Sequence, residues 1–192
     1  MIDVSKVLVG APDQKTTGAV MDAPVGTPLP TSAVDTIDKA FSSSGYISED
    51  GVALTLDRST NDITDWSGSA VRSLLKSFTG IIAWSEMQMS YESLCHAFGE
   101  SNVEQVLATA DHGAQVNVGI GSDLPAARSW IFKMKDGSAR VLIVVPNGQV
   151  TSIDEIDFVS SDAIKLPLTL TCHPDTSGKS IYIYTDDGVV SK

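Results

Sequence analysis

The stretch GYISEDGVALTLDRSTNDITDWSG, residues 45–68 of a 192-residue chain, opens as a strand and closes as a polar segment around one tryptophan. Tyr46 and Ile47 run into Glu49-Asp50-Gly51, which reads as a hairpin turn, and Val52, Leu54 and Leu56 then alternate with Ala53, Thr55 and Asp57. Alternation at period two marks a half-buried strand with one core face. From 58 to 68 apolar residues thin out, and Arg58, Ser59, Thr60, Asn61, Asp62, Asp65 and Ser67 surround Trp66. A large aromatic among hydrogen-bonding groups is the composition of a recognition surface. Residues 58–68 are therefore expected to form a long loop that contacts another protein, with Trp66 as its packing anchor.

The same period-two signal dominates the C-terminal half. It appears at Val116, Val118 and Ile120, at Trp130, Phe132 and Met134, and at Val141, Ile143 and Val145. Asp123-Leu124-Pro125, Lys135-Asp136-Gly137 and Pro146-Asn147-Gly148 carry turn chemistry between these runs. Further strands are expected over 149–159, 164–173 and 181–185, with turns at 175–178 and Asp186-Asp187-Gly188; Pro167 predicts an edge strand or a bulge. Residues 71–88 read as two strands or one bent hairpin around Thr79-Gly80, with a wet face. Ser90 caps an expected helix through Phe98 that Gly99 ends. Ser32 and Asp35 resemble a helix start, and Ala33, Ile37, Ala40 and Phe41 follow at helical spacing. Residues 101–109 fit a capped helix or a strand equally. Residues 1–31, with Pro12, Pro24, Pro28 and Pro30, read as an extended arm without a packed element. The expected fold is mainly β: an antiparallel sandwich or barrel spanning 32–192 as one domain, with one or two short flanking helices.

A hydrophobic content of 42% and a mean hydropathy of +0.08 are globular values. The longest apolar run, 141–145, is far below the roughly 18 residues a membrane helix needs, so no membrane association is expected. The start, MIDVSKVLVGAPDQ, lacks the basic and apolar regions of a signal peptide, which predicts synthesis in the cytoplasm. Two cysteines suit a reducing compartment. With 13 basic against 24 acidic residues the net charge is -11, so the chain has no basic footprint for gripping nucleic-acid phosphates. A solvating acidic surface is the plain reading of that excess.

No reaction centre emerges. Cys95-His96 and Cys172-His173 supply zinc ligand types, yet adjacent residues diverge on either a strand or a helix, so buried thiols and surface or capped imidazoles are expected instead. Gly119-Ile120-Gly121 lacks the third glycine of a dinucleotide loop, and Asp154-Glu155-Asp157 and Asp186-Asp187 lack calcium-loop spacing. His112 reads as a loop residue. No catalytic residue, cofactor or metal is expected.

At APVGTPLPT (23–31), residues 45–68, LPAARSWIFKMK (124–135) and PNGQV (146–150), the chain resembles the major tail proteins of long, flexible-tailed bacteriophages (siphoviruses), notably those of actinobacteria. The resemblance implies a virion protein with the fold shared with the type VI secretion tube protein, and it covers the tube domain alone. It also implies hexameric rings stacked into a hollow conduit, through which double-stranded DNA passes without specific binding, and tape measure, tail terminator and distal tail proteins as partners. On that reading Pro24, Val25, Pro28, Arg58, Asp62, Asp65 and Trp66 make inter-subunit contacts. Asp57, Glu86, Asp154, Glu155 and Asp157 line the lumen or the ring faces, where like charge would keep phosphates sliding. Two alternatives are a secretion tube protein of the same fold and a carbohydrate-binding β-sandwich. The second would stack sugars on Trp66, Trp84 and Trp130, although the last two lie in strand patterns that read as core.

Overall fold

The computed structural model describes residues 6–13 and 18–190. Along the chain run β1 (Val20–Pro24), β2 (Ser42–Ser43), β3 (Ile47–Thr64), β4 (Ala70–Glu86), α1 (Tyr91–Phe98), β5 (Val103–Val106), β6 (Gln115–Val118), β7 (Arg128–Asp136), β8 (Ala139–Ile153), β9 (Leu166–His173) and β10 (Tyr182–Asp186). Every pairing is antiparallel, and the main sheet has the order β2-β1-β7-β8-β9-β4-β3, with β5 and β6 as a separate ribbon. The fold is thus mainly β, as the alternation predicts.

The long strand β8 is the pivot. Its first half, Arg140 to Val144, pairs with β10, and its second half, Asn147 to Ile153, pairs with β9. The sheet therefore forks along β8 and curls, which brings β4 over β7: the rings of Trp84 and Trp130 lie 5.1 Å apart and those of Trp84 and Phe132 5.3 Å. Around this stack pack Val145, Leu166, Leu168 and Leu170, with Leu94 and Ala97 of α1 as a lid. A second apolar cluster, Met21, Ala23, Phe41, Ile131, Leu142 and Val144, occupies the opposite face of β1, β7 and β8. Burying large side chains on both faces fixes the register of these strands, because a one-residue slip would exchange the two sets.

Helix α1 forms where the sequence predicts it. The Ser90 side chain accepts the Ser93 N–H, and Gly99, at φ 87°, donates its N–H to the Cys95 carbonyl. The ambiguous stretch after it becomes a short 3-10 turn at Glu100–Asn102 and then β5.

Elsewhere local signals lose to tertiary pairing. The helix expected after Ser32 is absent. Asp35 instead turns its carboxylate back onto the Thr31 and Ser32 N–H groups, at 2.7 and 2.9 Å, a local bond that competes with helix formation. The segment still delivers Leu29, Ala33, Ile37 and Phe41 to the second cluster. Residues Val20–Pro24 of the expected unpacked arm form β1, buried at Val20, Met21, Asp22 and Ala23 between β2 and β7. Residues 1–5 and 14–17 of that arm lie outside the described residues.

Glu49-Asp50-Gly51 is not a hairpin turn but a register shift inside β3, absorbed by Gly51 at φ 70°. Thr79-Gly80 likewise lies mid-strand in β4, and Pro146-Asn147-Gly148 lies mid-strand in β8 beside an irregularity opposite β7. Pro167 belongs to an interior strand rather than an edge. Its carbonyl accepts from Asp154, just past the end of β8, so the missing N–H points where that ladder has already stopped.

Candidate functional site

The segment 58–68, expected as a loop, is the outer half of a β-hairpin. β3 and β4 pair from Val52↔Trp84 out to Thr64↔Ala70, whereas β4 finds its other neighbour, β9, only between Gly80 and Glu86. Beyond Leu56 and Gly80 neither strand has another strand neighbour among the described residues. Their free length, Asp57 to Thr64, is about 25 Å at strand rise, and both outer edges carry unpaired backbone groups.

The tip closes on Asp65, which accepts the N–H groups of Ser67 and Ser69 at 2.9 Å and the Ser67 hydroxyl at 2.6 Å. Those bonds, the Ser67 hydroxyl first, hold the Asp65 carboxyl below its usual range. Ser73 donates to Asp62, and the Arg58 guanidinium lies 5.2 Å from the Phe78 ring centroid. Among the described residues the faces are left largely open: Leu56, Ile63, Val71, Leu74, Leu75 and Phe78 are all exposed and Trp66 is fully so. Near the base, Leu54, Leu56, Leu75 and Phe78 meet Ile181 and Ile183 in an open groove of about 360 Å³. A two-stranded ribbon is marginal in water by itself, so a hairpin this long and this apolar is built to be covered.

A second surface comes from the sheet's outward-facing rows. Ala53, Ala83, Thr169 and Ser152 are cross-strand neighbours in one row, and Thr55, Ile81, Thr171 and Gln149 in the next. Asp57 and Thr79 continue the pattern. These side chains are short or uncharged, and none of these positions carries Lys or Arg.

The most polar interior feature was not foreseen from the sequence. His96 on α1 places Nε2 3.0 Å from Asp22 Oδ1 on β1 and Nδ1 3.1 Å from Glu86 Oε1 on β4. Arg128 pairs with the other Asp22 oxygen, Ser42 donates to Asp22 at 3.1 Å and Trp84 Nε1 donates to Glu86 at 3.1 Å. Burial disfavours the imidazolium, but the bonds to Asp22 and Glu86 and their charges outweigh it and raise His96 to about 9. Burial alone would push the Asp22 carboxyl up. The His96 bond and the charges of His96 and Arg128 overcome that and hold it low. His96 is therefore a doubly donating cation locked between two acids, not the surface or capped imidazole expected, and Cys95 and Cys172 are free thiols. Burial pushes Cys172 up to about 12, which leaves an inert thiol.

The expected contact residues fall on two margins. Arg58, Asp62, Asp65 and Trp66 share the hairpin at one side of the strand order. Pro24, Val25 and Pro28 are exposed where β1 leaves the other side through a turn, in which the Pro24 carbonyl accepts from Thr27. Among the expected lumen or ring-face acids, Asp57 is exposed on the outward rows, and Asp154, Glu155 and Asp157 are exposed in the β8–β9 connector. Glu86 is a correction: it is completely buried in the His96 network and reaches no surface of this chain. Trp84 and Trp130 are buried, which removes two of the three aromatics that sugar stacking would require.

A family model described as phage tail tube protein matches residues 6–190. None of the curated proteins matches the chain. Among solved structures, the cryo-EM structure of the anti-feeding prophage cap, a tube-terminating cap, is similar with a TM-score of 0.47 and 11% identity over 94% of each chain.

Proposed function

The chain belongs to the phage tail tube protein family, a structural and not an enzymatic family, and from that premise we propose how this subunit builds its tube. As a tail tube subunit it is a virion component that assembles with copies of itself. In the proposal the copies form hexameric rings that stack into the tail tube of a long, flexible-tailed phage, and the genome leaves through the bore. The observation that carries it is the β3–β4 hairpin, a ribbon with apolar side chains on open faces and two unpaired edges. Neighbouring copies would cover it and continue the sheet, leaving no free edge to aggregate.

Arg58, Asp62, Asp65 and Trp66 are then contacts on one margin, and Pro24, Val25 and Pro28 on the other. The rows of Ala53, Thr55, Ile81, Ala83, Thr169 and Thr171 form the wall facing the bore, with Asp57 as its acid. Such a wall offers DNA phosphates no cation to bind. Tape measure, tail terminator and distal tail proteins are the expected partners, and the host cytoplasm the place of synthesis. Negative-stain microscopy of the purified chain at rising concentration tests this. Six-fold rings or tubes are the expected result, and a persistent monomer would sink the reading.

A further inference from the structure

The outer part of β4 and the connector at the base of the β3–β4 ladder carry opposite charges. Arg72 and Lys76 on the outer part of β4 are exposed with no acidic partner among the described residues, and β4 carries no acid before Glu86; the ionised Asp62 and Asp65 belong to β3 and the turn, where Ser73 and the turn's own N–H groups bond them. At the base, Glu86 pairs with Leu166 and Ile153 with Leu168, so the 154–165 connector leaves the sheet at the end opposite the tip. Asp154, Glu155, Asp157 and Asp162 follow one another there with no Lys or Arg before Lys165. Phe158 among them is 74% exposed and Val159 49%. Lys165 does not neutralise the group: it bonds Asp162 at 3.0 Å and feels Asp50 and Glu49 besides.

We propose that the hairpin tip of one copy docks on the 154–162 connector of a second copy, with Arg72 and Lys76 against Asp154, Glu155 and Asp157, and Leu74, which shares the strand face of Arg72, against Phe158. This rests on the tube-subunit reading and names the surface that receives the hairpin. The occupant is another copy of this chain because the two patches are complementary in charge, each adds exposed apolar side chains, and they sit at opposite ends of one molecule. A contact that joins opposite ends of identical subunits is head-to-tail and does not close on itself, so it propagates as a stack. Exposed ion pairs contribute little singly, and the apolar side chains supply the buried area while the charges set direction and register.

The test uses the full chain in three forms: R72E/K76E, D154K/E155K/D157K, and the combined variant that exchanges the charges. Each one-sided reversal should cut tube yield by ten-fold or more in sedimentation and electron microscopy, with the thermal melt of the dispersed subunit unchanged. The combined variant should recover most of the yield. A connector reversal that assembles like the wild-type chain, or a combined variant no better than either parent, overturns the inference while wild-type tubes keep the tube reading intact. Wild-type protein that forms neither rings nor tubes overturns the tube reading, and this inference with it.

Discussion

The inner and outer halves of the β3–β4 hairpin follow one backbone ladder under two different energy regimes. The inner half, from Val52↔Trp84 to Leu54↔Ile82, has β9 alongside and the Trp84–Trp130 stack beneath. The outer half has neither, and its side chains stand in solvent. Backbone pairing alone thus extends a strand well past the core, but only the inner half supports its own stability. The outer half draws its stabilisation from whatever covers it.

That contrast can be broken most severely at the inner end. Replacing His96 by Ala leaves Asp22 and Glu86 buried without their shared cation, and should cost about 3 to 5 kcal/mol in urea unfolding. A loss below about 1 kcal/mol would show that the clasp contributes little.

The same network sets a pH window. His96 binds its proton more tightly in the folded chain, so its contribution is full below the unfolded value of 6.5 and disappears as pH rises through about 9. The Asp22 carboxyl is held low, so its contribution is lost on acidification instead. Stability should therefore fall by roughly 3 kcal/mol between neutral pH and pH 10, and the H96A variant should lack that decline when melts are compared across the range.

A smaller effect is expected at Gly148, where an added Cβ would meet Leu170 and Trp130 side chains at 3.0 Å. Gly148→Ala should destabilise by about 1 to 3 kcal/mol through overpacking, read as a shifted denaturation midpoint at constant slope. Trp66→Ala closes the series. Subunit stability should stay within about 0.5 kcal/mol, while tube yield drops several-fold. A destabilised monomer would mean that Trp66 packs within its own chain.

The inner half of the hairpin was legible because alternation reports one core-facing row, and Val52 and Leu54, which pack against the core, display it. The outer half was misread as a loop for the same reason. A strand with no core beneath it has no apolar row to show, and Asp57 to Thr64 pairs through its backbone, which sequence pattern does not register. Pro146-Asn147-Gly148 failed as a turn because β7 and β9 flank that stretch of β8 and their ladders outweigh local turn preference. The helix expected after Ser32 failed because Asp35 found nearer partners. By contrast Ser90 and Gly99 made a correct helix prediction, since a cap is satisfied within one turn.

From its sequence alone this chain determined the mainly β class, the capped helix α1, the burial of Trp84 and Trp130, the exposure of Trp66 and the likeness to tail tube proteins. All rest on periodicities and caps that act over a few residues, or on strings that carry a family's pattern. Tertiary structure alone decided that the hairpin runs on to its tip, that β1 lies inside the sheet, and that Asp22 and Glu86 meet the cations His96 and Arg128. Those outcomes depend on groups far apart in the chain. A buried charge is stable only against a partner that folding brings to about 3 Å, and no local pattern states which partner that will be.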